Sequence, residues 1–220
     1  AQGYNVGVVL NERAVLEGFW ITATEPSTVT TFVDMVAASS GVSAGNRLEF
    51  NIIGGESPDS KAVTAVSVRG PGSRVLHNTF VYSQNATSLD PGVTLSSTEV
   101  TNNLFYDISW PVLNDGTTQS CVDFFCVGTA TPCSVVADCL ILMAPPDNHV
   151  FCPDGNPNCA GADPQLGDEF RPSLSSPLIG ASTVAGNDVG AIQSGCGWGG
   201  CTSNCDIGGS SECTLEVFSF

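Results

Sequence analysis

Six residues of this chain could serve as the base in an elimination on an acidic polysaccharide: Arg13, Arg47, Lys61, Arg69, Arg74 and Arg171. That reaction takes the C5 proton of a sugar acid with a basic side chain, often beside a Ca²⁺ held by carboxylates. Arg47 and Arg74 each stand four residues before an asparagine, Asn51 and Asn78, and Glu99 stands four before Asn103. With no dense acidic cluster beside it, the column Arg, Arg, Glu reads as an ion pair between neighbouring elements rather than as a base. Asp154-Gly155-Asn156-Pro157-Asn158 begins as a Ca²⁺ loop does, but Cys159 replaces the required glycine and Gln165 the bidentate glutamate. The expectation there is a turn, with Ca²⁺ a weak alternative and no other cofactor.

Trp20, Tyr82, Tyr106 and Trp110 are the candidate glycan-binding residues, since aromatics aligned along one face can stack on sugar rings. Single half-buried aromatics are common, however, so packing is the simpler role for each. His77 adjoins Asn78 and His149 stands in a loop-like region; both read as structural. All ten cysteines follow residue 120: Cys121, Cys126, Cys133, Cys139, Cys152, Cys159, Cys196, Cys201, Cys205 and Cys213. An even number crowded into turn-rich sequence reads as disulfides made in an oxidising compartment. A short loop such as Cys152 to Cys159 would contribute about 2–3 kcal/mol. Zinc is the weaker reading, because there is no Cys-x-x-Cys and neither histidine is near. The expected location is outside the cell or on its surface.

Charge narrows the partners further. Residues 1–110 hold ten acids and five bases, and residues 111–220 hold twelve acids and one base, Arg171, so the halves carry −5 and −11 of the net −16. Such a surface repels nucleic acid and anionic membranes. No apolar run is long enough to span a bilayer.

The elements that would position these residues repeat. Leu16-Glu17-Gly18-Phe19-Trp20-Ile21, Leu48-Glu49-Phe50-Asn51-Ile52-Ile53, Val75-Leu76-His77-Asn78-Thr79-Phe80 and Val100-Thr101-Asn102-Asn103-Leu104-Phe105 share one pattern, centred on 19, 51, 78 and 103 at spacings of 32, 27 and 25. Periods of this size mark solenoids, where each unit completes its core against the next. Three residues before the centre stand Leu16, Leu48, Val75 and Val100; two after it stand Ile21, Ile53, Phe80 and Phe105. Both columns are apolar although five apart, an odd separation that a straight strand would send to opposite faces. A corner resolves this, and asparagine at the centre suits a left-handed corner residue. Asn51, Asn78 and Asn103 would then form a ladder from rung to rung. Thr31-Phe32-Val33-Asp34-Met35-Val36 and Ala62-Val63-Thr64-Ala65-Val66-Ser67-Val68 supply further strands. An antiparallel sandwich is the alternative, but it does not need the same corner four times.

The pattern resembles the right-handed parallel β-helix of the pectate-lyase-like superfamily. Asp163-Pro164-Gln165-Leu166, Asp168-Glu169-Phe170-Arg171-Pro172, Ser176-Pro177-Leu178-Ile179 and Asp188-Val189-Gly190-Ala191 resemble the closing segment of secreted bacterial β-helix surface proteins. The resemblance implies that this segment lies along the last coils. It implies little about activity, because such folds carry lyases, hydrolases, adhesins and spacers. The consecutive Asp pair and Gly-His-Gly of the family's hydrolases are absent here.

The expectation is therefore an all-β parallel solenoid with a disulfide-rich C-terminal closure, residues 1–117 forming the coils and 118–220 the cysteine-rich insertion and closing segment of the same domain. The first strand begins near Tyr4, with no cap helix before it. An uncapped coil invites pairing, so either upstream sequence or a neighbouring subunit is expected to cover that end. Leu215 to Phe220 alternates as a strand does and is expected to pair within its own domain or with a partner. Function is expected to be non-catalytic, structural or adhesive, with end-to-end self-association. A polysaccharide lyase and a glycan-binding module are the rivals.

Overall fold

The β-branched and aromatic stretches between the turns form seventeen strands among the described residues of the computed structural model. It describes residues 6–23, 30–37, 44–58, 62–89, 98–114, 120–122, 125–127, 148–151, 162–184, 187–193, 197–198 and 216–219. In chain order these strands are β1 (Val6–Leu10), β2 (Val15–Glu17), β3 (Phe19–Ala23), β4 (Thr31–Met35), β5 (Arg47–Glu49), β6 (Ile52–Gly55), β7 (Ala62–Val68), β8 (Arg74–Leu76) and β9 (Thr79–Leu89). There follow β10 (Glu99–Thr101), β11 (Asn103–Asn114), β12 (Ser120–Val122), β13 (Phe125–Val127), β14 (Asn148–Phe151), β15 (Ile192–Gln193), β16 (Gly197–Trp198) and β17 (Glu216–Ser219).

Pairing is mostly parallel and falls into three rows. One row is β1, β4, β7 and the later halves of β9 and β11. A second is β2, β5, β8 and β10. The third is β3, β6, the first halves of β9 and β11, and β14. β9 and β11 therefore serve two rows each, bending at Tyr82 (φ 45°) and Asp107 (φ 53°). β12 and β13 form an antiparallel hairpin that sets Cys121 opposite Cys126. The fold is all-β, of stacked parallel sheets, and is compatible with a parallel solenoid.

The corner between the second and third rows differs from expectation by one residue. The left-handed positions are Gly18 (φ 79°), Phe50 (φ 55°), His77 (φ 52°) and Asn102 (φ 59°), each immediately before the repeat's central residue. The asparagines themselves lie in the ladder, where their amides meet the backbone of adjacent rungs. Turning the chain one residue earlier frees those amides to point inward. It also brings Leu16, Leu48, Val75 and Val100 into one core with Ile21, Ile53, Phe80 and Phe105. Leu10, Met35, Val68 and Leu89 of the first row join this core, and Phe80 stacks on Phe105 with centroids 5.3 Å apart. Each such large side chain contributes about 1.5–3 kcal/mol by leaving water.

Candidate functional site

The ladder contains four asparagines. Asn78 Oδ1 accepts from the Asn51 backbone N–H at 3.0 Å, Asn103 Oδ1 from the Asn78 N–H at 2.8 Å, and Asn148 Oδ1 from the Asn103 N–H at 2.8 Å. At the first rung Asn51 Oδ1 accepts from Phe19 N–H at 3.0 Å. Each Nδ2 donates to the carbonyl three residues before the preceding centre: Leu16, Leu48, Val75 and Val100 at 2.8–2.9 Å. Asn51, Asn78 and Asn103 are fully buried. Asn148 was missed in sequence because it lies 45 residues beyond Asn103 and lacks the apolar residue three positions earlier. A second polar column, Asn46, Ser73 and Thr98, stands just before β5, β8 and β10 and is likewise buried. Asn46 Oδ1 accepts from Ala14 N–H, and its Nδ2 donates to the Leu10 and Val36 carbonyls.

Outside the corner, the left-handed residues carry the segment 162–193. His77 stacks on Phe50 at 4.9 Å and its Nδ1 lies 3.1 Å from the Asp188 carbonyl, to which it donates. Asn102 exchanges two hydrogen bonds with Thr183, at 2.7 and 2.8 Å, and its carbonyl accepts from Gly190 N–H. Ala191 N–H donates to Thr79 Oγ1 at 2.9 Å. Gly190 (φ 96°) passes so close that a Cβ there would lie 2.9 Å from the same hydroxyl. His149 Nε2 donates to the Ala162 carbonyl at 2.7 Å. Both histidines thus pin this segment to the rungs. Burial lowers the pKa of each, and for His77 the carbonyl of Asp188 opposes the shift only in part.

A folded-state pKa below the unfolded one means that the unfolded chain binds the extra proton first. Stability is then full above the ordinary histidine pKa, about 6.5, and falls as pH drops below it. The melting temperature should fall between pH 7 and pH 5.5. His77→Asn, which keeps a residue tolerant of left-handed backbone, should flatten that slope. Scanning calorimetry at several pH values checks this, and an unchanged slope in the variant would assign the dependence elsewhere.

Three of the four candidate glycan-binding aromatics come together on the outer face of the third row. Tyr82 meets Tyr106 edge to face at 5.9 Å, and Trp20, Tyr82 and Tyr106 surround Phe170 at 5.9, 6.1 and 6.5 Å. Phe151 completes the group, 5.6 Å from Tyr106. The Trp110 side chain lies outside the described residues. Phe170 was not singled out in sequence. It arrives from a loop in which Gln165, Glu169 and Phe170 all have positive φ. Burial raises the Tyr82 phenol pKa, with help from Asp107. Burial also raises that of Tyr106, reinforced by Tyr82, Asp163 and Asp107. Both phenols therefore stay neutral. Trp20 Nε1 is buried and without a hydrogen-bond partner among the described residues.

The arginine column resolves into ion pairs. Arg74 Nε lies 2.7 Å from Glu99 Oε2 on the next rung, and Arg47 Nε donates to Glu49 Oε1 at 2.9 Å. Glu49 holds Arg47 more firmly in its charged form, while burial, and then Glu49, raises the pKa of Glu17. Arg69 pairs with the buried Asp34 at 2.7 Å. The Arg74–Glu99 pair is about half-exposed and contributes about 0–1 kcal/mol. No group of three His, Cys, Asp or Glu is arranged to hold a metal ion among the described residues. Among the described residues no helix is long and apolar enough to cross a membrane. Apart from the backbones of Cys121 and Cys126, the cysteines and the Asp154 turn lie outside the described residues. No family model, no curated protein and no solved structure matches this chain.

Proposed function

We propose that the chain is a right-handed parallel β-helix of an extracellular surface, a non-catalytic structural or adhesive unit that stacks end to end. The observation that carries this reading is the ladder of Asn51, Asn78, Asn103 and Asn148, in which the polar side chains buried at the corner are spent on joining rung to rung. Arg69 and Arg74, the residues a lyase would use as base, are each held by a carboxylate of a neighbouring rung. Both histidines serve as anchors. The facing of Cys121 and Cys126 adds support for disulfides, since cross-strand partners in an antiparallel pair have Cα atoms within the range a disulfide spans.

Electron microscopy of the native protein, with light scattering at several concentrations and a thiol count before and after reduction, tests this reading. Regular filaments and thiols that appear only on reduction are expected. Discrete monomers at every concentration would remove the stacking role, and ten free thiols would remove the oxidising location.

The gathering of Trp20, Tyr82 and Tyr106 about Phe170 favours one second reading, a glycan contact at that cluster. Trp20, Tyr82 and Tyr106 each meet Phe170 edge to face, so the cluster works first as a clamp for the segment that carries Phe170. Quenching of tryptophan fluorescence by acidic oligosaccharides, abolished in Trp20→Phe, would establish the contact. Unchanged spectra across a panel of such sugars would dismiss it.

A further inference from the structure

β17, from the far end of the sequence, pairs in parallel with β3, setting Glu216 beside Phe19, Val217 beside Trp20, Phe218 beside Ile21 and Ser219 beside Thr22. On the other side of β3 the register sets Trp20 beside Ile52 and Ile21 beside Ile53. β17 therefore takes the place of a rung before the first, in the same alignment as the rungs that follow. It fills that place in the third row alone. Among the described residues β1 and β2 have no neighbour on that side, and β17 itself pairs with no strand but β3.

Reach does not confine β17 to its own chain. β15 follows Ala191, which is bonded to Thr79 at the third rung, so β17 must travel only about three rung spacings, ~15 Å. Residues 199–215, which connect it to β16, could extend on the order of 55 Å. The choice between its own β3 and another chain's is then a matter of relative concentration. A tethered strand competes at about millimolar effective concentration, which stacked copies of the chain can match.

We propose that the open edge of β3 is a docking site for the C-terminal strand of this sequence, and that in an assembly the strand is supplied by a second copy. Backbone pairing supplies the affinity, as in other strand additions to a sheet edge. This deepens the structural reading above and rests on it for the assembled state, while the docking itself can be read on single chains.

The test uses a chain ending at Thr214, which retains all ten cysteines, and a fluorescent peptide of residues 214–220. Fluorescence anisotropy should show saturable one-to-one binding to the truncated chain and at least tenfold weaker binding to the full chain, whose own β17 holds the edge. A full-length Val217→Pro, Phe218→Pro variant should bind the peptide as the truncated chain does. Strand neighbours alternate, so one of the two prolines removes a donor that faces β3. Equal binding to the full and truncated chains, or binding to neither, would overturn the proposal. Peptide capture by chains that form no filaments would uphold docking while the stacking role fails. Filaments formed equally well by the truncated chain would uphold stacking and overturn strand exchange.

Discussion

Gly54→Ala is expected to be the most damaging single methyl in the described structure. Gly54 lies in β6 at φ 148°, a region closed to L side chains, and a Cβ there would sit 1.7 Å from the Val81 carbonyl oxygen and 2.7 Å from its carbon. Both obstacles are backbone, held in β9 by the pairing of Gly54 with Val81 and by the rungs on either side. Relief requires the two rungs to separate by more than an ångström, which would open the core at Ile53 and Phe80. The cost should reach the exceptional range for point mutations, about 4–5 kcal/mol or more. Gly18→Ala is the control. Gly18 (φ 79°) also has left-handed backbone, but nothing lies within 4 Å of the position its Cβ would take. That change should cost only the intrinsic left-handed penalty, about 1–2 kcal/mol. Urea titrations of both variants measure the contrast. If Gly54→Ala proved no worse than Gly18→Ala, the approach of β6 to β9 would be looser than described.

Asn78→Ala should be the next largest. The Asn78 amide serves five partners: Oδ1 accepts from the backbone and the side chain of Asn51, and Nδ2 donates to Leu48, Leu76 and Asn103 Oδ1. Alanine leaves the Asn51 N–H and the Leu48 carbonyl buried without these partners. Each orphaned group costs about 1–3 kcal/mol, so the total should be about 3–5 kcal/mol. At about 2–4 °C per kcal/mol for a chain of this size, the melting temperature should fall by roughly 10 °C. Asn51→Ala should cost less, because the Phe19 N–H that it orphans is only partly buried. A melt of Asn78→Ala that overlays the wild type would show that water replaces the amide.

The repeats disclosed the parallel rungs because the two apolar columns, five residues apart, forced a corner. They did not disclose which residue turns. Gly18, Phe50, His77 and Asn102 are four different residue types, and only Gly and Asn prefer left-handed backbone on their own account. At Phe50 and His77 the conformation is set by tertiary structure: the asparagine after each is held inside, and the ring is held outside. The fourth ladder residue was hidden by the long excursion between Asn103 and Asn148. The aromatic cluster was legible in part, since Trp20, Tyr82 and Tyr106 each follow a corner within a few residues. Phe170 was not legible, because three consecutive contacts across the chain, not any local pattern, bring it there.

The four ladder amides all face one way. Asn51 Nδ2 donates to Asn78 Oδ1, Asn78 Nδ2 to Asn103 Oδ1, and Asn103 Nδ2 to Asn148 Oδ1. Backbone dipoles in a sheet largely cancel, but these do not. Head-to-tail amides polarise one another and sum, as peptide units do along a helix. Each Oδ1 faces the preceding rung, so the side-chain carbonyl dipoles of the four asparagines add along the stack with their negative ends toward Asn51. Two such stacks meeting end to end would attract with their dipoles aligned and repel with them opposed, so the proposed stacking should set every copy in the same orientation.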